Sequence, residues 1–159
     1  MKNIFFYQTE IGEIGIAENG NAITNLYFKR IELIDNFNLA ETKLIKEAYS
    51  QLKNYLLGDI KKFTLPLNPE GTDFMKKVWN SLTLIPYGQT CTYKEVAKST
   101  GNEKASRAVG LANNKNPIPI FIPCHRVIGA NGKLVGYSGG IDIKKYLLNL
   151  ERTNIKDIF

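Results

Sequence analysis

Apolar positions in this chain recur first at strand-like and then at helical intervals. Ile4 to Tyr7, Ile14 to Ala17 and Ala22 to Phe28 are short β-prone runs. Glu18-Asn19-Gly20-Asn21 separates the last two, and Asn-Gly favours a hairpin turn because both residues tolerate a positive φ. Leu44, Ala48, Leu52 and Tyr55 then repeat at helical spacing, with Gly58 as a stop signal. Lys61 to Glu70 carries Pro66 and Pro69 and reads as a linker. The pattern predicts a small α/β domain, a sheet with one helix, over residues 1–66.

Residues 67–159 read as mainly helical. Thr72 is placed to cap a helix whose apolar face is Phe74, Met75, Val78, Trp79 and Leu82, and Pro86 and Gly88 end it. Thr92 to Lys98 predicts a short helix, Ser99-Thr100-Gly101-Asn102 a turn, and Lys104 to Asn113 a second helix. This is the pattern of a helix-turn-helix, and equally of a plain helical hairpin. The second helix sets small residues (Ala105, Ser106, Ala108, Gly110, Ala112) around one long cation, Arg107. Small side chains suit close packing on a neighbouring helix. They also suit entry into a narrow groove, with Arg107 reaching further in. Lys104 and Lys115 are surface charges or phosphate contacts. A last helix is predicted from Ile143 to Asn154, with Tyr146, Leu147 and Leu150 on one face.

Composition narrows the class. The 159 residues suffice for one ordinary domain or two small ones. Hydrophobic residues at 43% and charged residues at 23% are ordinary for a globular protein. No run approaches the ~20 apolar residues of a membrane helix. The apolar stretch at Ile4 to Tyr7 is soon broken by Gln8, Thr9 and Glu10, with no small-residue cleavage site after it, so a cytoplasmic location is expected. Two cysteines are too few for a disulfide framework, and one histidine cannot complete a usual Cys/His zinc set. No metal and no cofactor are expected. A net charge of +6 fits a polyanionic partner.

Candidate chemistry lies in Ile122-Pro123-Cys124-His125-Arg126-Val127, where a cysteine stands beside the sole histidine. An imidazole can take a thiol proton, so the two form a candidate nucleophile and base. Rigid Asn116-Pro117-Ile118-Pro119 precedes them and flexible Gly136-Tyr137-Ser138-Gly139-Gly140 follows, which suggests a shaped pocket. On an extended chain, adjacent side chains point to opposite sides, so a water between Cys124 and His125 is expected rather than a direct bond. Cys91, in an apolar-flanked segment, reads as an inert buried thiol.

That hexapeptide matches the active-site signature of the O6-alkylguanine-DNA alkyltransferases, also called methylated-DNA–protein-cysteine methyltransferases. The resemblance extends, in family order and spacing, through Pro86-Tyr87-Gly88, Thr92-Tyr93, Ser106-Arg107-Ala108-Val109-Gly110, Asn116-Pro117, Tyr137-Ser138-Gly139-Gly140 and Leu150-Glu151. The N-terminal part resembles the family's α/β domain only loosely. Some relatives hold a zinc there with cysteines and histidines, and this N-terminal part has neither residue.

The resemblance implies a stoichiometric repair protein that binds double-stranded DNA through the minor groove, everts an O6-alkylguanine and moves the alkyl group onto Cys124. It implies His125 as base, Glu151 as its carboxylate partner, Asn116 as an orienting amide and Tyr93 as proton donor to the leaving base. Arg107 fills the gap left in the duplex, while Ala105, Ser106, Gly110, Lys104 and Lys115 contact the DNA. Tyr137, Ser138 and Gly139 wall the pocket, and backbone groups near Val127 read the guanine edge. Arg126 is expected to form a structural ion pair with Asp142. A monomer without membrane attachment is expected. Two competing readings share these residues: a Cys-His-Glu hydrolase of acyl substrates, predicting repeated turnover, and a non-catalytic binder of damaged DNA.

Overall fold

The computed structural model describes residues 1–30 and 35–155. It divides into two compact units, Met1–Glu70 and Gly71–Phe159.

The first unit is a four-stranded sheet with one helix. Strands β1 (Lys2–Thr9), β2 (Gly12–Glu18), β3 (Ile23–Tyr27) and β4 (Phe37–Leu39) lie in the order β3-β2-β1-β4. β1 and β2 are antiparallel, from Asn3 opposite Glu18 to Thr9 opposite Gly12. β2 and β3 are antiparallel with a register shift at Ala17/Glu18, and β4 runs parallel to β1. Asn19 builds the β2–β3 turn, its side-chain oxygen accepting from the Asn21 and Ala22 amides while Gly20 takes a φ of 96°. Helix α1 (Lys43–Leu56) starts at Thr42, whose side chain accepts from the Ile45 amide. It buries Ile45, Ala48, Leu52, Tyr55 and Leu56 in a core shared with Ile4, Ile14, Ile16, Ile23 and Leu26. β4 went unforeseen because three residues carry no readable period. The stretch read as a linker is tied to β3: the Ile23 amide donates to Pro66 O at 2.8 Å and the Asn68 amide to Ile23 O at 2.8 Å. Pro66 serves there because only its carbonyl is used.

The second unit is mainly helical, so the chain as a whole joins an α/β sheet unit to a helical one. Helix α2 (Asp73–Thr83) is capped by Thr72 and buries Val78, Trp79 and Leu82. Next come β5 (Cys91–Thr92), α3 (Tyr93–Ser99), α4 (Ser106–Asn114), β6 (Val127–Ile128) and α5 (Ile141–Asn154). α3 opens with a full capping box, Thr92 and Glu95 each accepting from the other's backbone amide. Gly101, with φ 95°, turns the chain into α4, giving the helix-turn-helix. Trp79 Nε1 donates to Ala112 O at 2.8 Å and pins α4 to α2. β5 and β6 pair in parallel, a two-residue ladder that no sequence pattern announced.

α5 corrects one expectation. Tyr146 is exposed, and the buried face is Lys144, Leu147, Leu148 and Glu151, spaced i, i+3, i+4, i+7. Of the three residues expected on one face, Leu147 is buried, Leu150 half-buried and Tyr146 exposed, while Lys144 and Glu151 complete the buried stripe. Among the described residues, no helix is long and apolar enough to cross a membrane.

Candidate active site

Cys124 and His125 sit in a 3-10 turn, Cys124–Arg126, and not on extended chain as the sequence suggested. The turn is built by local bonds: the Cys124 amide donates to Ile122 O at 2.8 Å and the Arg126 amide to Pro123 O at 3.0 Å. Asn116 braces the approach. Its Nδ2 donates to Ile122 O at 2.9 Å and its Oδ1 accepts from the Ile118 amide at 3.0 Å. Between these contacts Ile120 holds a φ of 73° while fully buried. A β-branched residue in the left-handed region is strained, and such strain persists only where the surroundings over-determine it. Asn113, on α4, adds a long bond from Nδ2 to Cys124 O at 3.4 Å.

Glu151 organises the polar half. It is 1% exposed, and it accepts from His125 Nε2 at 2.7 Å, from Arg126 Nε and Nη2 at 2.9 Å each, and from the Gly88 amide at 3.0 Å. Burial alone raises a carboxyl, but the bonds from His125 and Arg126 outweigh it and hold Glu151 well below the usual carboxylate range. An ionised carboxylate only accepts, so Nε2 of His125 carries the hydrogen. Arg126 also donates from Nη1 to Ile85 O at 2.7 Å. Its acidic partner is therefore Glu151 rather than the expected Asp142, which lies exposed in the first turn of α5. Gly88 is required in this arrangement. Its φ is 79°, and a Cβ there would lie 2.6 Å from Ile155 Cδ1.

The two candidate reacting groups are displaced in opposite directions. Burial pushes the Cys124 thiol up to about 11, against partial opposition from Asn116 and the Lys144 ammonium. Burial likewise pushes His125 below its ordinary value, with Glu151 pulling it back and Arg126 and Lys144 pushing it further down. At neutral pH the resting pair is thiol and neutral imidazole. Such an imidazole has a lone pair on Nδ1 and is competent as a base.

Lys144 was missed by sequence reasoning. Its Nζ donates to Val127 O at 2.6 Å and to Val135 O at 3.1 Å, and burial lowers its pKa. A lysine on a helix otherwise rich in Lys, Asp and Arg carries no sequence signal; only its place on the buried stripe could have marked it. Val135 O also accepts from the Tyr93 hydroxyl at 3.2 Å. Tyr93, at the start of α3, is raised in pKa by burial and by its proximity to Cys124. Gly110 on α4 faces its ring, where a Cβ would touch at 3.9 Å.

Cys124, His125, Glu151 and Asn116 are thus assembled by the 3-10 turn, the loop before it and α5, with Tyr93 bonded to the following loop. Tyr137 and Gly139 in that loop are half-buried and Ser138 is exposed. Val127 is buried, its carbonyl engaged by Lys144. Arg107, Lys104 and Lys115 are exposed along or beside α4, while Ala105 and Ser106 are half-buried at its start. Cys91 is half-buried rather than sealed, its thiol raised by burial and by Glu95. Among the described residues, no group of three His, Cys, Asp or Glu side chains is placed to hold a metal ion.

Comparison with known proteins gives consistent matches across both units. Residues 73–153 match the 6-O-methylguanine DNA methyltransferase, DNA binding domain, and residues 5–69 match the ribonuclease-like domain of 6-O-methylguanine DNA methyltransferase. A Methanosarcina acetivorans protein named methylated-DNA–protein-cysteine methyltransferase is 52% identical over 149 residues, covering 91% of this chain and 95% of that one. The Bacillus subtilis constitutive methylated-DNA–protein-cysteine methyltransferase is 45% identical over 157 residues, covering 94% and 95%. The crystal structure of Mycobacterium tuberculosis OGT in complex with DNA superposes with a TM-score of 0.89 at 41% identity, covering 96% of this chain and 94% of that one.

Proposed function

The chain belongs to the methylated-DNA–protein-cysteine methyltransferase family, and from that premise we propose that Cys124 is the acceptor, with His125, Glu151, Asn116 and Tyr93 serving the transfer. The activity is DNA repair by transfer of an alkyl group from O6-alkylguanine to a cysteine of the protein itself.

One observation supports this assignment of roles above the others: the buried chain Glu151–His125 beside Cys124, with Glu151 fixed by Arg126. Burial holds the thiol above its ordinary range, so the protonated form dominates at neutral pH. A preformed thiolate is therefore not the resting nucleophile. The proton leaves as the sulfur attacks, and neutral His125 takes it through its Nδ1 side with a bridging water. Glu151 stabilises the imidazolium that forms. The sulfur–carbon bond forms, the O6–carbon bond breaks, and the electron pair passes into the purine. The departing guanine takes a proton from Tyr93, and the thiol proton held on His125 makes up the one Tyr93 gives, so the sum is neutral. Lys144 and Asn116 favour the negative sulfur as it develops, both already acting in that direction on the resting thiol.

The leaving base needs a proton donor at its ring edge, and Tyr93 is half-buried near Cys124 with its hydroxyl on Val135 O. Cys124 is 3% exposed. On this reading the Tyr93 hydroxyl leaves Val135 O when a base enters and turns to the base. Tyr137, Ser138 and Gly139 belong to the loop that follows Val135 and form the wall, with the backbone around Val127 at the guanine edge. The everted base comes from duplex DNA read through the minor groove by α4, with Arg107 occupying the vacated position. Lys104 and Lys115 contact phosphates, and Ala105, Ser106 and Gly110 let the helix approach closely. One protein molecule, acting as a monomer in the cytoplasm, serves one lesion.

The thioether product has no activated carbonyl, and a thiolate leaves poorly from an unactivated carbon. Titration with an O6-methylguanine duplex is expected to stop at one methyl transferred per protein. Cys124→Ser is expected to bind the duplex and transfer nothing. Continued turnover past one equivalent, or transfer by Cys124→Ser, contradicts the assignment and favours a hydrolase-like cycle.

A further inference from the structure

We propose that Leu111 is a positioning residue for duplex DNA, seated against the apolar sugar walls of the minor groove one helical turn beyond Arg107. The inference rests on the reading of α4 as the DNA-contacting helix and names a contact that reading does not contain. Leu111 is 60% exposed, a large apolar side chain in the middle of a nine-residue helix that otherwise shows solvent only small or polar groups and Arg107. A lone exposed leucine means little by itself. Here its surroundings give it meaning. Arg107, Leu111 and Lys115 follow one another at i, i+4 and i+8, all exposed, so cations bracket the leucine along one stripe. The helix sequence, Ser106 to Asn114, contains no carboxylate. An apolar protein surface would be a poor match for so basic a frame, whereas a minor groove offers this alternation: phosphate lines outside, carbon-rich deoxyribose walls within.

The spacing suits that occupant. Four helical residues advance about 6 Å, close to two base steps of roughly 3.4 Å. With Arg107 at the vacated nucleotide, Leu111 meets the sugars about two steps away, on duplex that stays paired. It therefore acts before eversion, by adding grip on the paired stretch beside the nucleotide that Arg107 replaces. Gly110, beside Tyr93, keeps the inner side of the helix close to the site while Leu111 projects outward.

The test compares wild type, Leu111→Ala and Leu111→Met on three substrates: undamaged duplex, O6-methylguanine duplex and free O6-benzylguanine. Leu111→Ala is expected to weaken both duplexes by the same factor, about fivefold to thirtyfold. The repair rate at saturating DNA and transfer from free O6-benzylguanine are expected to be unchanged. The slope of log affinity against log salt also stays at the wild-type value, because no phosphate contact is lost. Leu111→Met is expected to restore most of the affinity. Duplex binding by Leu111→Ala within twofold of wild type overturns the proposal, and so does an equal loss on free O6-benzylguanine. If wild type itself neither binds duplex nor alkylates Cys124, the underlying functional reading fails, an outcome distinct from a silent Leu111→Ala.

Discussion

Glu151 grips Arg126 at two points, Nε to Oε1 and Nη2 to Oε2, each at 2.9 Å, with both side chains nearly closed to water. Such a bidentate pair fixes orientation as well as charge. It leaves Glu151 unable to turn away from His125, so the imidazole is held by a carboxylate that is itself held.

Glu151→Gln tests that arrangement. It leaves the Arg126 guanidinium buried without its counter-ion and leaves one oxygen acceptor where His125 and Arg126 had two, with an amide NH2 facing one of those donors. The expected loss of stability is about 3–5 kcal/mol, read from denaturant unfolding. Transfer from free O6-benzylguanine by the folded fraction is expected to slow as well. A variant with unchanged unfolding midpoint would show that the pair contributes little.

Acid should weaken the fold in two stages. Glu151 has a folded pKa below its unfolded value, so its contribution is full above about pH 4.3 and is lost as pH falls toward the folded value. His125 is also lowered, so below about pH 6.5 the unfolded chain takes up a proton that the folded one refuses, and stability begins to fall there. Denaturant midpoints measured from neutral pH down to pH 3 are expected to decline first through the histidine range and then, below about pH 4.3, through the carboxylate range. The same shift keeps His125 neutral, so the transfer rate at pH 6.5 stays near its neutral value. A rate already halved at pH 6.5 would mean an ordinary imidazole.

Lys144→Met removes a cation whose field favours a negative Cys124 and unties Val127 from Val135. The thiol is expected to titrate higher than in wild type and transfer to slow, because the cation that favours negative charge on the attacking sulfur is gone. Thiolate absorbance followed against pH in a Cys91→Ser background isolates Cys124. An unmoved titration would assign Lys144 to packing alone.

Arg107→Ala separates eversion from chemistry. Arg107 is exposed on α4 and takes no part in the buried hydrogen bonds given for Glu151. Repair of an O6-methylguanine duplex is expected to drop well below wild type, with much smaller harm to transfer from free O6-benzylguanine. Equal losses on both substrates would tell against the role of Arg107 in the duplex.

The sequence made the capped helices legible because their signals are local. Thr72 was readable as a cap before a helical period, and it accepts from the amide three residues on, as do Thr42 and Thr92, whose capping the sequence reading did not name. The hairpin at Asn19-Gly20 was legible for the same reason. β4 and the β5–β6 ladder were not, since two or three residues have no period and their pairing is decided by tertiary contacts. Within the candidate site, the hexapeptide around Cys124 announced itself, and resemblance supplied Glu151, Asn116 and Tyr93. The ion pair of Arg126 was misjudged because sequence proximity to Asp142 says nothing about which carboxylate α5 turns inward. Lys144 and the strained Ile120 were invisible: one is a lysine among many, the other a backbone angle imposed by Asn116 and two prolines.

Peptide-resolved mass measurement after incubation with an O6-methylguanine duplex tests the acceptor assignment most directly. The account predicts a gain of one CH2 on the peptide containing Cys124, in proportion to guanine restored, and an unchanged Cys91 peptide. Restored guanine beside an unmodified Cys124, or the methyl found on Cys91, would contradict it.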